Sequence, residues 1–225
     1  MNCYDTNIWN IFGNTLAEKS MDSNLMQMWS ESDHNMSRFY TTGFETILFN
    51  RDHSFVLETV LASSVGWDNE IIIVGNHDSL GKLSKIANKQ NLTHHCLGWF
   101  SEKWDDFENG LPSYNDVSHI LIGIDSETDL RHIPVKKLLQ LSARHKFSLI
   151  VYCDTSVTGL NDLFEGSIDY MIGGLEVEPI QSFVVARRSR LVQTEGKSNC
   201  FNLDLHSFWQ WTMRNREPII EPMRV

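Results

Sequence analysis

Gly75-Asn76-His77-Asp78 follows a short apolar run and carries residue types that could bridge metal ions or move protons at a strand end. Bridging two metals takes several carboxylates and imidazoles from successive strand ends. No Asp-x-His precedes this string, no Gly-Asp-x-x-Asp intervenes and no Gly-His-x-His follows, so it reads as a strand-to-helix turn. His94-His95-Cys96 offers zinc-type ligands, but adjacent side chains on a strand point to opposite faces, and alternation between surface and core is the expected reading. Asp154 closes the apolar run Ile150-Val151-Tyr152-Cys153. A carboxylate at the carboxyl end of a buried parallel strand stands where doubly wound folds bind ligands, with a solvated turn aspartate as the alternative. The P-loop, dinucleotide and nucleophile-elbow strings are all missing, so those chemistries lack their physical starting point.

Such groups need a scaffold, and its rhythm begins at Asp52. The pattern predicts a helix over Ser54 to Ser63, a strand Glu70 to Val74 and a helix Leu80 to Lys89 with Leu80, Leu83, Ile86 and Ala87 on one face. It continues with a strand His119 to Ile124, a helix Pro134 to Lys146 and a strand Ser148 to Cys153. Short, fully apolar strands alternating with amphipathic helices mark parallel strands buried on both faces. Further strands are predicted near Asp169 to Ile172 and over Ser182 to Ala186, and a helix over Leu203 to Arg214. Residues 1–47, rich in Asn, Ser, Asp and Met, read as an arm with short helices, residues 48–225 as the α/β domain, and the proline-bearing stretch from Glu217 as extended.

At 225 residues the chain is long enough for one sizeable α/β core, and 41% hydrophobic residues with 12 Phe and 7 Trp exclude a disordered chain. A formal net charge of -10 repels phosphate backbones and argues against nucleic-acid or anionic-membrane partners. The four cysteines are far apart and no signal-peptide pattern opens the chain, so a reducing, cytoplasmic setting is expected. The longest apolar stretches fall well short of the roughly 20 residues that cross a bilayer.

Several strings, in order, resemble the fold-type I pyridoxal-phosphate enzymes, specifically the class V aminotransferases of the 2-aminoethylphosphonate:pyruvate transaminase kind. Ser118-His119-Ile120 through Asp125-Ser126-Glu127-Thr128 resembles the family's "SHI…HSET" strand and turn. Ser148 through Asp154 resembles the strand ending in the aspartate that pairs with the pyridine nitrogen. Ile168-Asp169-Tyr170-Met171-Ile172 resembles "IDYLIS", and Phe183 through Arg187 resembles "FVIAR", which in the family runs antiparallel to its neighbours. Asn202 through Trp209 is similar to "SLDLYxQW". The resemblance covers roughly Leu48 onward and implies a three-layer α/β fold with a mainly parallel sheet and one antiparallel strand.

By that resemblance Ser54, Thr128 and Asp154 are the retained cofactor-binding residues. The family seats the cofactor phosphate on a small Gly-Ser-Gly-Thr/Ser turn at a helix N-terminus, where this chain has Arg51-Asp52-His53-Ser54. The Schiff-base lysine should follow Ile172, yet Gly173 to Ser182 contains no lysine; the position falls on Val177, or on Glu176 or Glu178 if the alignment slips. The ring-stacking aromatic is replaced by Ser79, and the chain stops at Val225, before the small domain that supplies the substrate-binding arginine.

The expectation is a degenerate aminotransferase-like protein without transaminase activity, a binding or partner subunit in a homodimer or a heterodimer with a related subunit. The alternative is a repurposed enzyme acting on a small molecule in the old cofactor pocket, with His53, Cys153, Asp154, Glu176 and Glu178 as candidates for acid–base or nucleophilic work beside Arg51 and Asp52. No covalent cofactor is expected; pyridoxal phosphate or pyridoxamine phosphate held non-covalently is a further reading. No metal is expected.

Overall fold

The computed structural model describes residues 43–99, 116–125, 128, 130–153, 164, 167–174 and 182–215. Residues 1–42 of the expected arm, the C-terminal stretch from Glu217, and the candidates Asp154, Glu176 and Glu178 lie outside the described residues.

Apolar runs too short to be helices form the sheet. Its strands are β1 (Phe44–Phe49), β2 (Glu70–Gly75), β3 (His94–Gly98), β4 (Val117–Ile124), β5 (Ser148–Cys153), β6 (Tyr170–Gly174) and β7 (Ser182–Arg187). They lie side by side as β1-β7-β6-β5-β4-β2-β3. β3, β2, β4, β5 and β6 pair in parallel, and β7 runs antiparallel to both β6 and β1. This is the three-layer arrangement with a single antiparallel strand that the resemblance implies. Every residue of β5 is buried, which is why its sequence reads as an unbroken apolar run.

The helices are α1 (His53–Ser64), α2 (His77–Lys89), α3 (Val135–His145), α4 (Arg188–Val192) and α5 (Leu205–Asn215). Val56, Leu57, Val60 and Leu61 of α1 and Leu83, Ile86 and Ala87 of α2 share one core with Ile71, Ile73, Leu121, Ile150 and Tyr152 of the strands, closed by Leu205 and Trp209 of α5. Ser63 Oγ donates to the Leu203 carbonyl at 2.8 Å and accepts the Leu205 N–H at 2.9 Å, tying α1 to the start of α5.

Several boundaries differ from the sequence reading, each for a local reason. α2 begins at His77 rather than Leu80 because the Asn76 side chain accepts the Ser79 N–H at 2.8 Å, a filled N-cap. α5 begins at Leu205 rather than Leu203 because the Asp204 carboxylate accepts from the N–H groups of His206 and Ser207, leaving Phe201–Leu203 as a separate 3-10 turn. β1 was not expected: Glu45 and Thr46 interrupt its apolar pattern, and among the described residues it is an edge strand paired with β7 alone. Its first residues, Phe44 to Ile47, are sheet residues that the sequence reading places in the arm.

At the amino end of β5 and β6 a buried carboxylate is fully engaged. Asp169 accepts from Ser148 Oγ at 2.8 Å, Arg190 Nη2 at 3.1 Å and Arg187 Nε at 3.2 Å. Breaking such a buried set from one side leaves an uncompensated charge, so it locks β5, β6 and the end of β7 together.

Candidate functional site

The carboxyl ends of β2, β4 and β5 and the N-termini of α1 and α2 converge on one edge of the sheet, the position where open parallel sheets bind ligands. α2 packs close to β4 there because Gly123 has no side chain: a Cβ at that position would lie 2.6 Å from Leu83 Cδ1 and 2.9 Å from Ser79 Cβ. That approach carries Ser79 to the end of β4, where its hydroxyl donates to Asp125 Oδ2 at 3.0 Å. Asn76 Nδ2 donates to the same oxygen at 2.6 Å, and Thr128 Oγ1 donates to Asp125 Oδ1 at 2.7 Å. Asp125 thus fastens the β2–α2 turn to the β4 end, and three polar side chains at the site are turned toward it.

The β1–α1 turn is built from Arg51, Asp52, His53 and Ser54. Ser182 Oγ donates to the Arg51 carbonyl at 2.6 Å, fixing the turn to β7. Asp52 is the N-cap of α1, and its carboxylate accepts the Phe55 N–H at 2.8 Å. A helix N-terminus offers free N–H groups and the positive end of a dipole to an anion. In this chain an internal carboxylate already sits there.

His53, one of the expected candidates, tilts its ring toward Tyr152 of β5 with centroids 5.6 Å apart. Lys82 joins them from α2: its Nζ lies 3.5 Å from His53 Nε2 and 5.3 Å from the centroid of the Tyr152 ring. A cation over the aromatic face gains from the ring's electrostatics. Sequence reading missed Lys82. The signal was present, since Lys82 falls three residues after the inward-facing Ser79 and beside the buried Leu83, on the stripe of α2 that turns to the sheet.

The other expected residues separate. Ser54 is half-buried in the first turn of α1 beside His53. Thr128 is present at the β4 end, but with its hydroxyl given to Asp125. Cys153 is buried at the end of β5, one residue past Tyr152, and strand alternation turns it to the opposite face of the sheet from the His53–Tyr152–Lys82 group. His94 and His95 go to separate partners, the Leu92 carbonyl at 3.1 Å and Glu70 Oε2 at 2.7 Å. Gly75-Asn76-His77-Asp78 is the turn into α2, as expected.

No family model matches the chain. Among curated proteins it is 26% identical over 180 residues to the 2-aminoethylphosphonate–pyruvate transaminase of Aeromonas hydrophila, covering 76% of this chain and 47% of that protein. It is 24% identical over 179 residues to the enzyme of the same name from Bacteroides fragilis, covering 76% of this chain and 49% of the relative. The chain spans about half the length of these relatives. Among solved structures, an alanine–glyoxylate aminotransferase from Nostoc sp. superposes with a TM-score of 0.58 at 13% identity, over 85% of this chain and 54% of that one. The ureidoglycine–glyoxylate aminotransferase of Bacillus subtilis gives 0.57 at 16% identity, over 82% of this chain and 50% of that one. In sequence the chain resembles the 2-aminoethylphosphonate–pyruvate transaminases, and its fold is that of the pyridoxal-phosphate aminotransferases.

Proposed function

We propose that this chain is an aminotransferase-like protein without transaminase chemistry, a binding or partner subunit that works in the cytoplasm as a homodimer or with a related subunit. The observation that carries the reading is the Asp52 cap. A phosphate-bearing cofactor seated at α1 would meet a carboxylate that already accepts the Phe55 N–H, at the donor group the phosphate would use. The residues present do not fit pyridoxal phosphate in the usual seat, for two further reasons. Ser79 and Thr128, at the positions of the stacking residue and a retained contact, spend their hydroxyls on Asp125. The sequence from Gly173 to Ser182 holds no lysine for an imine.

The test is to mix the purified chain with pyridoxal phosphate, record the aldimine absorbance, reduce with borohydride and map any adduct by mass spectrometry. No adduct is expected, and no amino transfer to pyruvate. An adduct on a pocket lysine with turnover would overturn the reading. Light scattering, together with isolation from the native host, should return a dimer with itself or with a related aminotransferase-like chain in stoichiometric amount; a strict monomer in both would refute the partner role.

A second reading, a repurposed enzyme acting on a small molecule, is favoured by the Lys82–His53–Tyr152 group, which puts an amine and an imidazole 3.5 Å apart in the old pocket. Saturable pyridoxamine phosphate binding without a borohydride adduct would instead favour the non-covalent cofactor reading.

A further inference from the structure

Trp67 is 88% exposed, the most exposed large apolar side chain among the described residues. With Asp68 it forms the middle of a tight turn between α1 and β2, closed by the Asn69 N–H, which donates to the Gly66 carbonyl at 3.0 Å. Such turns are served by Gly, Asn, Asp and Ser, so turn chemistry does not call for an indole. Left in water, the ring forgoes burial of roughly 150–250 Å², and tryptophan is enriched where protein surfaces meet.

The turn stands at the amino ends of the parallel strands. The Glu70 N–H, first in β2, donates to the Asp116 carbonyl at 2.8 Å, which brings Asp116 beside the turn at the head of β4. β5 is the other neighbour of β4, and α3 leads into it through His145, Lys146 and Phe147. The half-buried His145 ring stacks on the buried Phe147, with centroids 5.2 Å apart and planes 14° from parallel. Neighbouring strands are about 4.8 Å apart, so the heads of β2 and β5, with β4 between them, lie about 10 Å from each other on one edge. Asp68, Asp116 and Lys146 are exposed and make no ion pair among the described residues. One edge thus carries an indole beside two carboxylates and an aromatic step beside an ammonium.

We propose that this edge is a self-association surface: in a two-fold dimer, Trp67 of each copy packs on the His145 ring of the other, with Asp68 and Asp116 facing Lys146. The occupant is a second copy of this chain because the two halves of the edge complement each other, aromatic to aromatic and carboxylate to ammonium. A two-fold axis repeats each match, so the indole is buried twice and the charges pair twice. Trp is the residue type that most often carries the energy of an interface, and the flanking charges set partner and register. A nucleic acid or an anionic membrane would instead meet Asp68 and Asp116 as repulsive charges. The proposal rests on the partner-subunit reading and names the surface that a homodimer uses.

The experiment is sedimentation equilibrium of the full chain over a range of concentrations, with circular dichroism of each variant as the check on folding. A reversible dimer is expected for the wild type. Trp67→Ser, a change at an exposed turn position, should raise its Kd at least tenfold. Asp68→Lys and Lys146→Glu should each raise it at least fivefold, and the charge-swapped double variant should return to within threefold of the wild type. Should Lys146→Glu fail to fold at its left-handed position, Asp68→Asn and Lys146→Asn are read in its place, the double variant being no weaker than the worse of the two single ones. A wild-type dimer that Trp67→Ser leaves intact, or a charge-swapped pair weaker than both single variants, overturns this surface and leaves the partner reading standing. A chain that stays monomeric overturns the self-contact, while the partner reading falls only if the native host also yields no partner.

Discussion

The carboxylate of Asp52 stands 2.8 Å from the backbone nitrogen of Phe55, so the chain supplies its own anion at the N-terminus of α1. Asp is among the strongest N-cap residues, and replacing such a cap by alanine costs about 1 kcal/mol. Asp52→Ala is therefore expected to lower the stability of the fold by about 1 kcal/mol in urea unfolding, while Asp52→Ser keeps most of it. Equal losses in the two variants would mean that the carboxylate acts through charge and not as a cap.

His119 enters β4 buried, with Ser118 Oγ 2.6 Å from its Nδ1. Its pKa is lowered from 6.5 to about 4, first by burial, then by Arg190, with Asp169 opposing and Lys197 adding a smaller push down. Between those values the unfolded chain takes up a proton that the folded chain refuses. The stability tied to a neutral His119 is present above pH 6.5 and is lost as pH falls toward 4, by about 3 kcal/mol at most. Unfolding of the wild-type chain and of His119→Gln, measured between pH 7.5 and 4.5, should show a steeper loss for the wild type; parallel curves would refute the assignment.

Gly123 is required by contact and not by backbone angle. Adding one methyl forces Leu83 or Ser79 to move, and inserting atoms into a packed contact costs about 1–3 kcal/mol. Gly123→Ala should lower the unfolding midpoint and loosen Ser79 from Asp125. A variant as stable as the wild type would show that α2 can move away freely.

The last prediction is a gain. α3 ends at Lys146, whose φ of 59° lies in the left-handed region, and its N–H caps the Ser142 carbonyl. Glycine adopts that conformation without the Cβ clash, so Lys146→Gly should stabilise the chain by about 0.5–1 kcal/mol in thermal melts. A loss would indicate that the exposed Lys146 side chain holds something the helix needs.

The inner strands and their helices could be read from the amino acids alone, because burial on both sheet faces forces unbroken apolar runs such as Leu149-Ile150-Val151-Tyr152. The replacement of the cofactor turn by Arg51-Asp52-His53-Ser54 and the missing lysine after Ile172 were equally legible, because composition at a position needs no coordinates. The edge strand β1 was not, since one-sided pairing tolerates Glu45 and Thr46 and leaves no clear period. Nor could the sequence show that Thr128 and Ser79 turn toward Asp125, that Cys153 faces away from Tyr152, or that Lys82 of α2 reaches His53 of α1 29 residues earlier. Those facts depend on how closely two helices and a sheet edge approach, a distance set by the volume of side chains such as the one Gly123 lacks.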